Sequence, residues 1–163
     1  MGLLDRWRGR ENEEATSSGS EPSGGTAPLE ATEPVDTITS RRPTADEESV
    51  LDAARAHYAA HAIDPADLAS IASAYERALD EAGEEGAAAE AVTVLATAVG
   101  DHLVTRGYRW VVTTDPFGTD LAVEPPRRPV PVVVSTLVAV RWMQRERGWL
   151  TGVVEHLARA GSR

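Results

Sequence analysis

The chain has 163 residues, of which 42% are hydrophobic, and a formal net charge of -10. This length suits one domain of ordinary size, and the negative charge argues against general nucleic-acid binding because phosphates would be repelled from most of the surface. There is no cysteine and no lysine, which excludes disulfides, thiolate metal sites, Schiff-base lysines and P-loop lysines.

Residues 1–10 form a short basic amphipathic segment. Leu3, Leu4 and Trp7 fall at helical spacing, while Arg6 and Arg8 are placed mostly elsewhere. This pattern is typical of a weak peripheral membrane contact or of a peptide that docks in a partner's groove. A frayed terminus is the alternative, because an isolated helix of this length is marginal.

Residues 11–43 are rich in Glu, Ser, Thr, Gly and Pro. Such a composition cannot bury enough apolar surface to offset the loss of chain entropy. We therefore predict a disordered acidic linker, followed by a single domain over residues 44–163.

Helical signals fill the first half of that domain. Thr44 and Glu47 have the spacing of a capping box, and Asp64-Pro65 is typical of a helix start. The apolar periodicity predicts three helices, which run from about Thr44 to His61, from Asp64 to Ala82 and from Ala87 to Arg106.

Strand signals follow Gly107. Two apolar, β-branched runs flank Asp115-Pro116-Phe117-Gly118, which predicts an antiparallel hairpin. Residues 132–134 are a candidate third strand, and Ser135 is a candidate cap for a helix over 136–147. A last helix is expected over 149–160. Together these elements predict an α+β fold: three N-terminal helices, a small β-hairpin or three-stranded sheet, and two C-terminal helices.

The sequence combines a helix that ends in Gly, a hairpin with aromatic residues around Trp, and a Pro-rich step into a Ser-capped helix. The residues of this pattern are Gly107, Tyr108, Trp110, Asp115, Pro131, Ser135, Val138, Arg141 and Gly148. In these features the chain resembles a bacterial family, domain of unknown function 3806. This resemblance covers about residues 64–160. The resemblance implies a cytoplasmic domain, often actinobacterial, and brings no catalytic residues.

Two histidines are the candidate metal ligands. His57 and His61 lie four positions apart on the first predicted helix, so both imidazoles can reach one ion. The zinc-protease glutamate after the first histidine is absent. Two surface histidines at a helix end are the alternative interpretation.

The C-terminal third is the candidate partner-binding region. Arginines outnumber acidic residues between Arg106 and Arg163, and Trp and Arg are the residue types that dominate binding hot spots. In the alternative interpretation the tryptophans fill the core and the arginines pair with acidic helices. We expect Trp110 and Trp142 in the core and Trp149 exposed, with a partner surface at Arg127, Arg128, Arg145 and Trp149.

No transmembrane segment and no signal peptide is evident, so a cytoplasmic location is expected. The leading hypothesis is a non-enzymatic module that binds another protein and needs no cofactor. The first alternative is a metal-binding or hydrolytic protein that uses His57 and His61. The second is a peripheral membrane adaptor that is held by Leu3, Leu4 and Trp7.

Overall fold

The computed structural model describes residues 38–82, 88–127 and 130–161. Within these ranges the chain forms five helices and one three-stranded antiparallel sheet, which confirms the α+β class. The elements are β1 (Thr39–Arg41), α1 (Ala45–Arg55), α2 (Leu68–Glu81), α3 (Ala88–Thr105), β2 (Arg109–Asp115), β3 (Gly118–Glu124), α4 (Val134–Met143) and α5 (Trp149–Gly161). The predicted segment 1–10 and most of the predicted linker lie outside the described residues.

The predicted hairpin is confirmed. Strands β2 and β3 pair antiparallel from Arg109 opposite Glu124 to Asp115 opposite Gly118. The Asp115 carboxylate accepts hydrogen bonds from the backbone N–H groups of Phe117 at 2.7 Å and of Gly118 at 3.0 Å. These bonds stabilise the tight turn from within its own sequence.

The third strand is not the one that was expected. The sheet order is β1-β2-β3, and β1 lies within the last residues of the segment predicted as linker. The expectation of a strand over 132–134 is wrong: Val132 makes only an isolated bridge to Val123. Prolines on the N-terminal side of Val132 remove backbone donors, and the chain enters α4 at Val134.

The predicted capping box starts α1. The backbone N–H of Thr44 donates to the Glu47 carboxylate at 2.8 Å, and the backbone N–H of Glu47 donates to Thr44 Oγ1 at 3.4 Å. Arg41, at the end of β1, donates two hydrogen bonds of 2.7 Å to the same carboxylate. One glutamate therefore joins the edge strand to the start of α1.

The boundary between α1 and α2 differs from the prediction. Helix α1 ends at Arg55 rather than near His61, and turns follow it up to Ala62, whose φ is +50°. Helix α2 is capped by Asp67, which accepts from the N–H of Ala69 at 2.9 Å. Asp64, the predicted cap, instead closes the preceding turn by accepting from Ala66 N at 2.8 Å.

Helix α4 also starts earlier than predicted. Its N-cap is Val133, which makes no side-chain cap hydrogen bond, so the expectation that Ser135 caps it is wrong. The helix ends at Met143 instead of reaching Arg147. The backbone of Arg145 has a φ of +50°, and that of Gly148 a φ of +69°, and these left-handed conformations reverse the chain into α5.

The core is organised around α3, which contacts the other four helices and strands β2 and β3. Tyr75 of α2 packs edge-on against Trp142 and Trp149, with ring centroids 5.9 and 5.6 Å away. On the other side of α3, Trp110 of β2 lies directly over Gly100. Small residues on α3 thus make room for a few large aromatic rings.

We predict that Gly100→Ala destabilises the fold. A Cβ at this position would lie 2.2 Å from the Trp110 ring, so the indole or α3 has to move. Overpacking of this kind costs about 1–3 kcal/mol, measurable by urea denaturation. Gly152→Ala on α5 is the matched control, because its Cβ would meet nothing within 4 Å, and it should stabilise by up to about 1 kcal/mol. Equal effects of the two substitutions would contradict this packing.

The Arg41–Glu47 contact predicts an acid-sensitive clamp. Hydrogen bonds from Arg41 and Thr44 lower the pKa of Glu47 to about 2. Because the folded-state pKa is depressed, the stabilisation is present above the unfolded value of about 4.3 and is lost as the pH falls towards 2. The difference in unfolding free energy between wild type and Glu47→Gln should therefore exist at neutral pH and shrink across this window. A difference that is independent of pH would argue against the clamp.

Candidate functional site

A partly buried carboxylate joins three elements of the fold. Asp101 of α3 accepts hydrogen bonds from Arg55 Nε and Nη2 at 2.9 and 2.7 Å, which tie it to α1. It also accepts from Tyr58 Oη and from Trp110 Nε1, each at 2.9 Å. Its side chain is only 14% exposed. Arg55, Tyr58 and Trp110 therefore share one partly buried acceptor.

The electrostatics favour an ionised Asp101. Burial alone would raise the pKa of Asp101, but hydrogen bonds from Arg55, Trp110 and Tyr58 outweigh it and lower the pKa. For Tyr58, burial and the nearby Asp101 charge both raise the pKa of the phenol. At neutral pH the cluster therefore holds a carboxylate, a guanidinium and a neutral phenol.

Beside this cluster lies an open groove of about 540 Å³, which we call the Trp110 groove. Its walls come from the segment between β1 and α1, from one face of α1 and from the start of β2. It is lined by Arg42, Pro43, Glu48, Leu51, Asp52, Arg55, Arg109 and Trp110. Guanidinium groups therefore surround one half-buried indole and one proline ring.

The three arginines of the groove differ in their partners. Arg55 is bound to Asp101 and, through an exposed contact of 2.8 Å, to Asp52. Arg109 pairs with the buried Glu124, yet its side chain is 73% exposed. Arg42 makes no side-chain hydrogen bond or ion pair with any residue that the structure describes. The groove therefore offers a ligand the guanidinium of Arg42 and the exposed part of Arg109, beside the carboxylates of Glu48 and Asp52.

The structure describes three of the four predicted partner residues, Arg127, Arg145 and Trp149, and they do not all lie on an open surface. The expectation that Trp149 is exposed is wrong: only 6% of it is accessible. Its indole packs against Tyr75, and the Arg141 guanidinium lies over the ring at 4.7 Å. Arg127 is exposed, and Arg128 lies outside the described residues.

The two arginines that immediately precede α5 bind residues of α2. Arg145 donates to the carbonyl of Leu79 at 2.9 Å, at the C-terminal end of α2. Arg147 pairs with Glu76 at 2.9 Å and also with Asp80. This matches the alternative interpretation, in which arginines of the C-terminal third pair with an acidic helix.

The candidate metal ligands lie in the turns after α1. Nδ1 of His57 is 3.5 Å from a carboxylate oxygen of Glu90, while His61 lines a separate small pocket beside Ala74 and Ala91. Residues 38–82, 88–127 and 130–161 contain no group of three or more His, Cys, Asp or Glu side chains that could hold a metal ion.

The candidate membrane residues Leu3, Leu4 and Trp7 lie outside the described residues. Among the helices that the structure describes, none is long and apolar enough to cross a membrane. The membrane-adaptor hypothesis therefore remains a prediction from the sequence.

One sequence signal for this site was available. Asp101 and His102 are the only titratable residues in the run 92–104 of α3, which is otherwise apolar apart from Thr93 and Thr97. A carboxylate in such a run needs buried partners. Its partners could not be chosen from sequence, because Arg55 and Tyr58 are 46 and 43 positions away. The groove itself depends on those long-range contacts.

We predict that Asp101→Asn lowers the free energy of unfolding by about 2 kcal/mol, since charge-assisted hydrogen bonds are replaced by an amide whose NH₂ group faces other donors. Asp52→Asn is the control. Its carboxylate meets Arg55 at the surface and is 72% exposed, so its loss should change stability by less than about 0.5 kcal/mol. Chemical denaturation of both variants measures the difference, and equal costs would show that Asp101 is not the organising group.

Comparisons with known proteins point to one family. No curated protein and no solved structure gave a match. The sequence model of the family described as Domain of unknown function (DUF3806) matches residues 67–152. This range runs from the N-cap of α2 into α5 and covers more than half of the chain. It includes Asp101 and Trp110, whereas β1 and α1 precede it. The chain therefore belongs to the DUF3806 family.

Proposed function

We propose that this protein is a non-enzymatic protein-interaction module that binds an acidic, partly apolar segment of a partner in the Trp110 groove. The observation that carries the proposal is the fixed indole of Trp110, held by Asp101 within a groove that three arginines line. Trp and Arg are the side chains most enriched in binding hot spots. This surface differs from the one predicted at Arg127, Arg128, Arg145 and Trp149, none of which lines the groove.

Preorganisation supports this choice of surface. Trp110 and Arg55 share one carboxylate, so neither side chain needs to be ordered when a ligand arrives. Ordering a side chain on binding costs roughly 0.5–1.5 kcal/mol, and the free protein has already met that cost. Pro43 adds a rigid apolar wall.

Charge supports an acidic partner. Arg42 has no partner among the described residues, and Arg109 stays largely exposed beside Glu124. A partner carboxylate can accept hydrogen bonds from both guanidinium groups while an apolar side chain covers the Trp110 ring. Such contacts speed association and weaken at high salt.

The test uses short random peptides displayed on phage and selected on the full-length protein. Selected peptides should carry Asp or Glu next to an aromatic or aliphatic residue. The indole N–H signal of Trp110 should shift when such a peptide is added to the ¹⁵N-labelled protein. Peptides that bind without moving this signal would place the binding site elsewhere.

Arg42→Glu should weaken the selected peptides by about tenfold or more, because it removes a charge-assisted contact and adds repulsion. Arg77→Glu is the matched control. It makes the same charge reversal on an exposed α2 residue whose guanidinium donates to His61 O at 2.7 Å. Binding measured by fluorescence anisotropy should be unchanged in this control. An equal loss of peptide affinity in both variants would show that the effect comes from the net charge of the protein, and it would refute a role for the groove.

A further inference from the structure

A second pocket, of about 380 Å³, lies between α3 and α5 and shares no residue with the Trp110 groove. We call it the His102 pocket. Besides Ala158, it is lined by four ionisable side chains. His102 is near the end of α3, and Arg106 directly follows that helix; Glu155 and Arg159 are one turn apart on α5. Two guanidinium groups, one imidazole and one carboxylate therefore face a common space.

The imidazole of His102 is fixed in both position and tautomer. The residue is only 2% exposed, and its Nδ1 lies 2.9 Å from the carbonyl oxygen of Pro65. A carbonyl oxygen only accepts, so Nδ1 carries the hydrogen. In the neutral ring, Nε2 is then an acceptor, and it becomes a donor only when the ring is protonated.

The two arginines of the pocket differ in their partners. Arg159 lies 3.6 Å from Glu155, one turn earlier on the same helix. Arg106 makes no side-chain hydrogen bond or ion pair within the part of the chain that the structure describes. Among the described residues, the Arg106 guanidinium therefore lines the pocket without forming an ion pair.

The C-terminal end of α3 would repel an anion if its carbonyl groups accepted no hydrogen bonds. Several of these carbonyl groups do accept hydrogen bonds. The hydroxyl of Thr105 donates to the carbonyl of His102 at 2.6 Å. Backbone N–H groups of the following turn bind the carbonyls of Leu103 and Val104 at 2.9 to 3.1 Å. The helix end is capped from within, so the side-chain cations determine the sign of the pocket.

We propose that the His102 pocket binds the phosphate group of inorganic phosphate or of a small phosphomonoester. A phosphate oxyanion accepts hydrogen bonds from the guanidinium of Arg106. The same group can carry an O–H that donates to Nε2 of the neutral His102 ring, which can only accept. Sulfate has no such O–H at neutral pH, and neither does a carboxylate. The fixed tautomer therefore selects phosphate among common anions.

The test is an NMR titration of the full-length ¹⁵N-labelled protein at neutral pH with inorganic phosphate, and with sulfate at the same ionic strength. Phosphate should shift the ring nitrogens of His102 and the side chain of Arg106. It should bind about tenfold or more tightly than sulfate, a ratio that one hydrogen bond to a charged group can supply. Glycerol 3-phosphate distinguishes the source, since tighter binding than that of inorganic phosphate identifies a small phosphomonoester as the ligand.

Three substitutions separate the contributions of individual side chains to phosphate binding. Arg106→Gln should reduce phosphate affinity at least tenfold. Glu155→Gln should increase it, because it removes the only carboxylate among the described residues that line the pocket. His102→Asn keeps a donor for Pro65 O but lacks Nε2, so it should abolish the preference for phosphate over sulfate. Circular dichroism confirms that each variant is folded, and if His102→Asn unfolds, the comparison of phosphate with sulfate on the wild type decides the test.

Equal binding of phosphate and sulfate by the wild type would overturn the proposal, because the pocket would then be a general basic patch. Shifts at residues of the Trp110 groove without shifts at His102 would overturn it as well.

Discussion

The fold depends on the hydrogen bonds that the Asp101 carboxylate accepts. Asp101 lies on the central helix, and burial of a charge there is unfavourable unless its oxygens are hydrogen-bonded. Donors from Arg55, Tyr58 and Trp110 fulfil that need. These bonds fix α1, the turn that follows it and β2 relative to α3. They also leave the Trp110 ring, with Gly100 beneath it, at the edge of an open groove.

Neighbouring residues on α3 serve two different surfaces. Successive helical side chains point about 100° apart, so Asp101 is directed to α1 and β2 while His102 is directed to Pro65 and the pocket beside α5. The adjacent acid and histidine therefore do not act as a pair. Asp101 is held by Arg55, Tyr58 and Trp110, whereas His102 is held by Pro65 and shares a pocket with Arg106.

Local signals in the sequence predicted most of the fold, and the misses share a physical cause. The capping box at Thr44, the turn after Asp115 and the apolar periodicity of α3 are determined by near neighbours. Strand β1 has the sequence Thr-Ser-Arg, without an apolar alternation, and is held by backbone pairing to β2. The burial of Trp149 depends on Tyr75, 74 positions earlier, so composition alone could not reveal it. The Trp110 groove was missed for the same reason.

A ¹³C NMR titration of the Asp101 side-chain carboxyl would measure whether this group is ionised in the folded protein. We expect a pKa of Asp101 below that of an exposed aspartate, about 3.9, because burial raises the pKa but hydrogen bonds from three residues outweigh it. The indole N–H signal of Trp110 should move with the same midpoint. A carboxyl that titrates above the ordinary aspartate value, or a Trp110 signal that does not change during the titration, would show that these donors do not hold Asp101 as a carboxylate.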